Sequence, residues 1–322
     1  MINAITLDSY IYKAQNKLLV TTPQQKDVIL SAVNTTTQSV SKSKIKRPNY
    51  SARIADIAIC SVIVGGLLYK EKLDLKKISE HIDFKQAKTL EEAMEFGREH
   101  LKIPQYIGFE KEDFDVVNWV NEGICRICNK AKGKIYTPNA VAYKSILPDG
   151  DKTVYASMNA RYGILSVNKD FVEKTRNEAK DKILDYVSKA IKKSKIQEEI
   201  PQEVKLTNNF KDALNTAGYN EKKTFSIISH EMGHLQHYNN VSKSFYYDLG
   251  KEEVIKDRKL SKKTKDLREL FESKIDTVGQ VSSYAKASPL EFVAEIFAGL
   301  CEDVKFSDEI LDLYQTLGGV MI

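Results

Sequence analysis

Residues 225–235 read Phe-Ser-Ile-Ile-Ser-His-Glu-Met-Gly-His-Leu and combine apolar side chains at helical spacing with two histidines four positions apart. This apolar pattern predicts a largely buried helix. On a helix, positions i and i+4 lie on one face about one turn apart, with a pitch of about 5.4 Å, so His230 and His234 can reach the same ion. Buried histidines need polar partners, and a metal ion is one. The alternative is a surface helix that carries two solvated histidines.

Glu231 lies between the two histidines and would project beside such an ion, not onto it. Catalytic zinc typically keeps three protein ligands and an open position for water, whose pKa it lowers toward neutrality. A glutamate beside that water can accept its proton and later deliver it to a leaving amine. The His-Glu-x-x-His spacing therefore makes zinc-dependent peptide hydrolysis the leading hypothesis, with Glu231 as general base.

His237 is the nearer of two places to look for a third ligand. It follows His230 by seven residues and would lie about 10.5 Å farther along the helix axis, too far to share one ion unless the helix breaks. The metzincin pattern, which provides such a break with a glycine, fails because positions 237 and 240 hold His and Asn. We interpret His237 as a packed residue or a hydrogen-bond partner of the ligands.

The second place is a helix predicted to start at residue 288. Ser288 suits an N-cap and Pro289 the first helical position. Glu291 and Glu295 are then one turn apart, so one carboxylate could bind the metal while the other accepts a hydrogen bond from a ligand histidine. Spacing alone does not separate them. A capping box between Ser288 and Glu291 would also explain that glutamate without any metal.

Two short motifs resemble those of the lethal-factor-like metallopeptidases. They are Ser283-Tyr284-Ala285 followed by Glu291-Phe292-Val293-Ala294-Glu295, downstream of His-Glu-x-Gly-His. This gluzincin family includes Pro-Pro endopeptidases and domains of phage head-morphogenesis proteins and polymorphic toxins. The resemblance implies Zn2+ held by His230, His234 and Glu291, with Tyr284 as a catalytic phenol and Glu295 as partner of a ligand histidine. A toxin or effector role is compatible with it.

Two alternatives to this family remain open. The ImmA/IrrE-like regulatory proteases share the His-Glu-x-Gly-His motif, although the 57 residues from His234 to Glu291 (291 − 234) exceed the gap usual in them. The other alternative is a non-catalytic phage- or secretion-associated binding protein with a vestigial zinc site. An intact Glu231 argues against it, because a structural zinc needs no base.

The expected fold is α+β, with a zincin-like domain over residues 86–322 and a mainly helical N-terminal region over 1–85. A flexible basic linker is expected around 34–48. Further predictions are helices over 75–82, over 114–131 and from a capping box at Thr89 to residue 101, and a hairpin of strands 154–158 and 162–167. An extended protein or peptide substrate would bind along the edge of this hairpin.

Composition excludes some functions. The chain has 322 residues, 42% of them hydrophobic and 29% charged, and a net charge of +5. Neither this balance nor the distribution of Lys and Arg indicates nucleic-acid binding. Four cysteines do not resemble a disulfide framework, and we interpret Cys125 and Cys128 as packed thiols. Oligomeric state is not predictable from these features.

The N-terminus shows no signal-peptide pattern, so we expect synthesis in the cytoplasm, with export by a signal-peptide-independent route left open. The apolar run 57–69 is shorter than the roughly 20 residues that span a bilayer. It predicts a buried helix and argues against membrane contact.

Overall fold

The computed structural model describes residues 77–78, 81–131, 135–146, 154–194, 209–250 and 261–322. These residues belong to one unit, Leu75–Ile322. The basic linker 34–48, the apolar run 57–69 and most of the predicted N-terminal region 1–85 lie outside the described residues. None of the described helices combines the length and apolar character needed to cross a membrane.

The described elements form a mixed α/β structure in which helices predominate. The strands are β1 (Lys77–Ile78), β2 (Gln105–Ile107), β3 (Ile135–Tyr136), β4 (Ala140–Lys144), β5 (Ala156–Asn159) and β6 (Ile164–Asn168). The helices are α1 (Leu90–Glu99), α2 (Phe114–Lys130), α3 (Lys169–Ser194), α4 (Phe210–Ala217), α5 (Glu221–Asn240), α6 (Lys243–Gly250), α7 (Lys262–Ser273), α8 (Ile275–Gly279), α9 (Pro289–Cys301) and α10 (Asp308–Thr316). This composition confirms the α+β class.

The larger sheet has four strands in the order β2-β4-β6-β5. Strands β2, β4 and β6 run parallel, while β5 runs antiparallel to β6 and lies at the edge. Every residue of β6 and all but Lys144 of β4 are buried, as expected for parallel strands covered by helices. The predicted hairpin is confirmed as β5 and β6, paired from Ala156 with Val167 to Asn159 with Ile164.

Helix α5, which carries His230 and His234, packs on the edge strand β5 and on α2. The prediction of a helix over 114–131 is confirmed, since α2 spans Phe114–Lys130 and ends on Ala131. The core between these elements includes Trp119 and Ile124 of α2 and Ile228 and Leu235 of α5, all fully buried or nearly so. This apolar face fixes α5 relative to the sheet and therefore fixes where its histidines lie.

Helix α9 begins as predicted. The Ser288 side chain accepts a hydrogen bond from the Glu291 backbone N–H at 3.2 Å, and Pro289 occupies the first turn. Its apolar residues join a second core cluster with α7 and α10, in which Phe271, Phe292 and Tyr314 are the largest buried side chains. The Ser288 cap and the packing of the apolar residues of α9 therefore fix the start of this helix. They also fix the position of Glu291 in its first turn.

One predicted helix is wrong, while another is confirmed. Where a helix over 75–82 was predicted, Lys77–Ile78 form a strand that pairs antiparallel with β3, Ile78 opposite Ile135. The pairing partner, β3, lies more than 50 residues away in the chain. The local sequence around residues 75–82 therefore does not predict this strand. Helix α1 starts as predicted, with Thr89 as N-cap accepting from the Glu92 N–H.

Candidate metal site

The two histidines of α5 stand side by side in the structure. The ring centroids of His230 and His234 are 4.9 Å apart and their planes nearly perpendicular. Both side chains are 12% exposed, so they are mostly withdrawn from solvent but still reachable. The i, i+4 spacing of the sequence thus becomes a pair of imidazoles that can share one ligand.

Glu291 of α9 completes the group. Its Oε2 lies 3.0 Å from His230 Nε2 and 3.4 Å from His234 Nε2. One ligand atom from each of the three residues falls within 4.8 Å of the others, which is compact enough for a single metal ion. Two imidazole nitrogens and one carboxylate oxygen form one of the donor sets found at catalytic zinc sites. Geometry therefore selects Glu291, and not Glu295, for this group.

Glu295 lies one turn further along α9, on the other side of His230. Its Oε1 is 2.8 Å from His230 Nδ1, so the carboxylate accepts the hydrogen of that nitrogen and leaves Nε2 directed at Glu291. Burial alone would raise the pKa of Glu295, but hydrogen bonds from His230 and Ser282 lower it below its ordinary value. Such a partner fixes the ring orientation and tautomer of a ligand histidine. The corresponding nitrogen of His234, Nδ1, is buried without a hydrogen-bond partner among the described residues.

The pKa values of His230 and Glu291 show that the site favours a positive charge. Burial acts to lower the pKa of His230, but its hydrogen bonds with Glu291 and Glu295 outweigh burial and raise the pKa to about 10. Burial acts to raise the pKa of Glu291, but hydrogen bonds with His230 and His234 hold it well below its usual range. A proton on His230 thus offsets part of the negative charge of the two carboxylates, and a divalent cation would displace the proton from Nε2 on binding. The donor set and its charge fit a metal ion.

Glu231 contacts the edge strand of the sheet. Its carboxylate accepts a hydrogen bond from the Met158 backbone N–H on β5. Burial raises the pKa of this carboxyl, while His230 and His234 act in the opposite direction. The side chain is only 9% exposed. Glu231 therefore contacts the edge strand β5 and lies close enough to His230 and His234 to interact with both electrostatically.

The pairing of β5 with β6 explains why the Met158 N–H is available to Glu231 and is not used within the sheet. The Asn168 N–H donates to Tyr155 O at 3.0 Å. Because hydrogen-bonded and non-hydrogen-bonded pairs alternate in an antiparallel ladder, Ser157 and Asn159 direct their backbone groups to β6. The backbone groups of Met158 consequently face the outer side of the edge strand, next to Glu231.

Tyr284 lies in a single 3-10 turn, Tyr284–Ala287, directly before α9. Its ring centroid is 5.6 Å from that of His230, and its hydroxyl hydrogen-bonds with Glu291. Burial and the nearby carboxylates raise the pKa of this phenol, so it keeps its proton at neutral pH. With 46% of the residue exposed, the phenol is accessible beside the ligand group.

His237 does not join this group. Its Nε2 donates to the Leu317 carbonyl oxygen at 2.9 Å, which fastens α5 to the C-terminal segment after α10. Burial lowers its pKa to about 4, so the ring is neutral. This contact accounts for His237 as a packed residue.

Sequence reasoning missed two participants in this region. Met158 contributes only its backbone N–H, which no residue type reveals. Tyr246 of α6 is buried 5.2 Å from the His237 ring, and its pKa is raised by burial and by the charges of Glu291 and Glu231. Only the chain path between α5 and α9 brings it there.

The cysteines of α2 and α9 are free and take no part in the site. Burial raises the pKa of Cys125, Cys128 and Cys301 to about 12 in each case, so they remain protonated thiols. This state agrees with their interpretation as packed thiols.

Comparisons with known proteins add no family to this description. No family model matches the chain, and searches of curated proteins and of solved structures find no match either.

Proposed function

We propose that this chain is a zinc-dependent endopeptidase of the lethal-factor-like gluzincin type, with a zincin-like catalytic domain. The observation that carries the proposal is the convergence of His230, His234 and Glu291 on one point, with Glu231 held beside them by the edge strand. Within the described residues the ligand group has three members, the number typical of catalytic zinc, whereas structural zinc is usually closed by a fourth protein ligand.

The residues divide the chemistry among them. His230, His234 and Glu291 would hold Zn2+, which polarises the scissile carbonyl and acidifies a water molecule when bound. Glu231 would take the proton of that water and return it to the leaving amine. Tyr284 would donate its phenolic hydrogen to the oxygen on which negative charge develops. Glu295 would keep the His230 ring in the ligating orientation.

The substrate would be an extended segment of a protein, added to the outer side of β5. The Met158 carbonyl oxygen faces that side, while the Met158 N–H already donates to Glu231. An edge strand can hold a peptide by main-chain hydrogen bonds without requiring particular side chains. This arrangement would place the substrate backbone next to Glu231.

Metal content and peptide cleavage test the proposal together. Purified wild-type protein is analysed by mass spectrometry for bound metal and incubated with a randomised peptide library. We expect one zinc per chain and discrete cuts. Glu231→Gln should retain zinc and lose nearly all cleavage, because the amide cannot accept the proton. Glu272→Gln, the same exchange at an exposed position of α7, serves as the control.

Two results would contradict the proposal. Cleavage by Glu231→Gln at the wild-type rate would remove its role as base. Zinc without any cleavage by the wild type would favour a non-catalytic binding protein.

A further inference from the structure

Ser282 connects two parts of the site that are separate in the chain. Its Oγ accepts the Ala285 backbone N–H at 2.9 Å, which closes the turn that carries Tyr284. The same hydroxyl hydrogen-bonds with the Glu295 carboxylate on α9. One side chain therefore contacts both the turn that presents the phenol and the carboxylate that holds His230.

The direction of these bonds follows from the donors available. A backbone N–H can only donate, so Ser282 accepts from Ala285 with an oxygen lone pair. Its own proton is then available, and the ionised carboxylate of Glu295 can only accept. Glu295 thus receives hydrogen bonds from Ser282 and from His230 Nδ1, the latter at 2.8 Å. The geometry requires a group at position 282 that accepts on one side and donates on the other.

We propose that Ser282 is a positioning residue that ties the Tyr284 turn to the Glu295–His230 pair, so that the phenol and the ligand histidine are placed together. The part of this inference that concerns catalysis rests on the proposed function, whereas the part that concerns metal affinity does not. Because Ser282 supports both the Tyr284 turn and the Glu295–His230 pair, its loss should both weaken metal binding and displace Tyr284.

A purely structural role predicts something different. If Ser282 only closed the turn, any acceptor would replace it, as Asp and Asn commonly do in such turns. Ser282→Asp keeps an acceptor for the Ala285 N–H but loses the donor and sets a second carboxylate against Glu295. Ser282→Ala removes both bonds, and Ser282→Thr keeps both. The neighbouring Ser283 is exposed, and Ser283→Ala is the matched control.

Three measurements on the full chain separate these roles. Zinc affinity is measured by competition with a chromogenic chelator, kcat and KM on the best library peptide, and stability by thermal unfolding of the metal-free protein. For Ser282→Ala we expect about tenfold weaker zinc binding, as for loss of a group supporting a ligand, and about tenfold lower kcat with KM little changed. Ser282→Asp should bind zinc at least as weakly, and Ser282→Thr should restore both values.

The opposite results would overturn the inference. Wild-type zinc affinity in both Ser282→Ala and Ser282→Asp would show that the hydroxyl does not support His230 through Glu295. Zinc affinity restored by Ser282→Asp would assign Ser282 to the turn alone. If the wild type cleaves no peptide, the proposed function fails, and the zinc titrations still decide the role of Ser282.

Discussion

At the scale of single residues, Glu291 and Glu295 make different contacts with the histidines of the site. Glu291 Oε2 contacts both Nε2 atoms, while Glu295 Oε1 contacts only the Nδ1 of His230. Helical spacing does not distinguish the two glutamates. They differ in the histidine nitrogens that they contact.

Alanine substitutions should distinguish the two glutamates. Glu291→Ala removes the proposed carboxylate ligand, and we expect loss of zinc from the purified protein. Glu295→Ala removes only the support of His230 and should weaken zinc affinity by about 10–100-fold. Metal analysis with chelator competition measures both. The reverse ranking would mean that the ligand is Glu295.

His237 should make stability depend on pH. Its pKa is lowered to about 4 by burial, and its unfolded value is about 6.5, so the folded state favours the neutral ring. The stability is complete above pH 6.5 and is lost as the pH falls toward 4, because the unfolded chain binds the proton first. The shift corresponds to about 3 kcal/mol of unfolding free energy.

His237→Gln tests this dependence and keeps a donor for the Leu317 carbonyl. Urea unfolding in the presence of EDTA, at pH 7 and at pH 4, should show that the wild type loses more free energy than the variant over this range. Parallel curves for the two proteins would exclude His237 as the cause.

At the scale of elements, the site requires that α5 and α9 pack closely. A Cβ at Gly233 would lie 2.9 Å from Ala294 Cα and 3.1 Å from Phe297 Cβ, so glycine lets the two backbones approach. His230 and His234 belong to one of these helices and Glu291 to the other. The spacing between the helices therefore sets the geometry of the ligand group.

Gly233→Ala should push the two helices apart. We expect a net loss of about 1–3 kcal/mol in unfolding free energy from overpacking, together with weaker zinc binding as Glu291 moves away. Gly123→Ala is the control, because a Cβ there would meet the Ile228 side chain at 3.2 Å on the contact between α2 and α5. The control should alter stability without altering zinc affinity. Equal zinc affinity in both variants would contradict this account.

At the scale of the whole described unit, the metal would join two core clusters. Met232 and Leu235 of α5 belong to the core against the sheet, while Phe292 and Ile296 of α9 belong to the second cluster. An ion bound by His230, His234 and Glu291 would cross-link these helices in the folded state only.

Zinc should therefore stabilise the fold by mass action. At a free zinc concentration 1,000 times the dissociation constant, the gain is about 4 kcal/mol. Thermal unfolding with EDTA and with added zinc should show a higher midpoint with zinc for the wild type and no change for Glu291→Ala. An equal shift in both proteins would indicate binding elsewhere.

The sequence by itself determined the local parts of this protein. Capping residues and apolar spacing predicted the starts of α1 and α9, and alternating residues around a turn predicted the β5–β6 hairpin. The i, i+4 rule placed His230 and His234 on one face. These features follow from short-range rules of backbone geometry, so the residues that carry them are neighbours in the chain.

Only the tertiary structure decided how these parts meet. Glu291 reaches the histidines because α9 packs on α5 at Gly233, and Met158 reaches Glu231 because β5 lies at the sheet edge. The predicted helix over 75–82 failed because a distant strand, β3, supplies backbone partners for Lys77–Ile78. Such contacts join residues far apart in the chain, and their energy comes from packing and pairing that no local pattern contains.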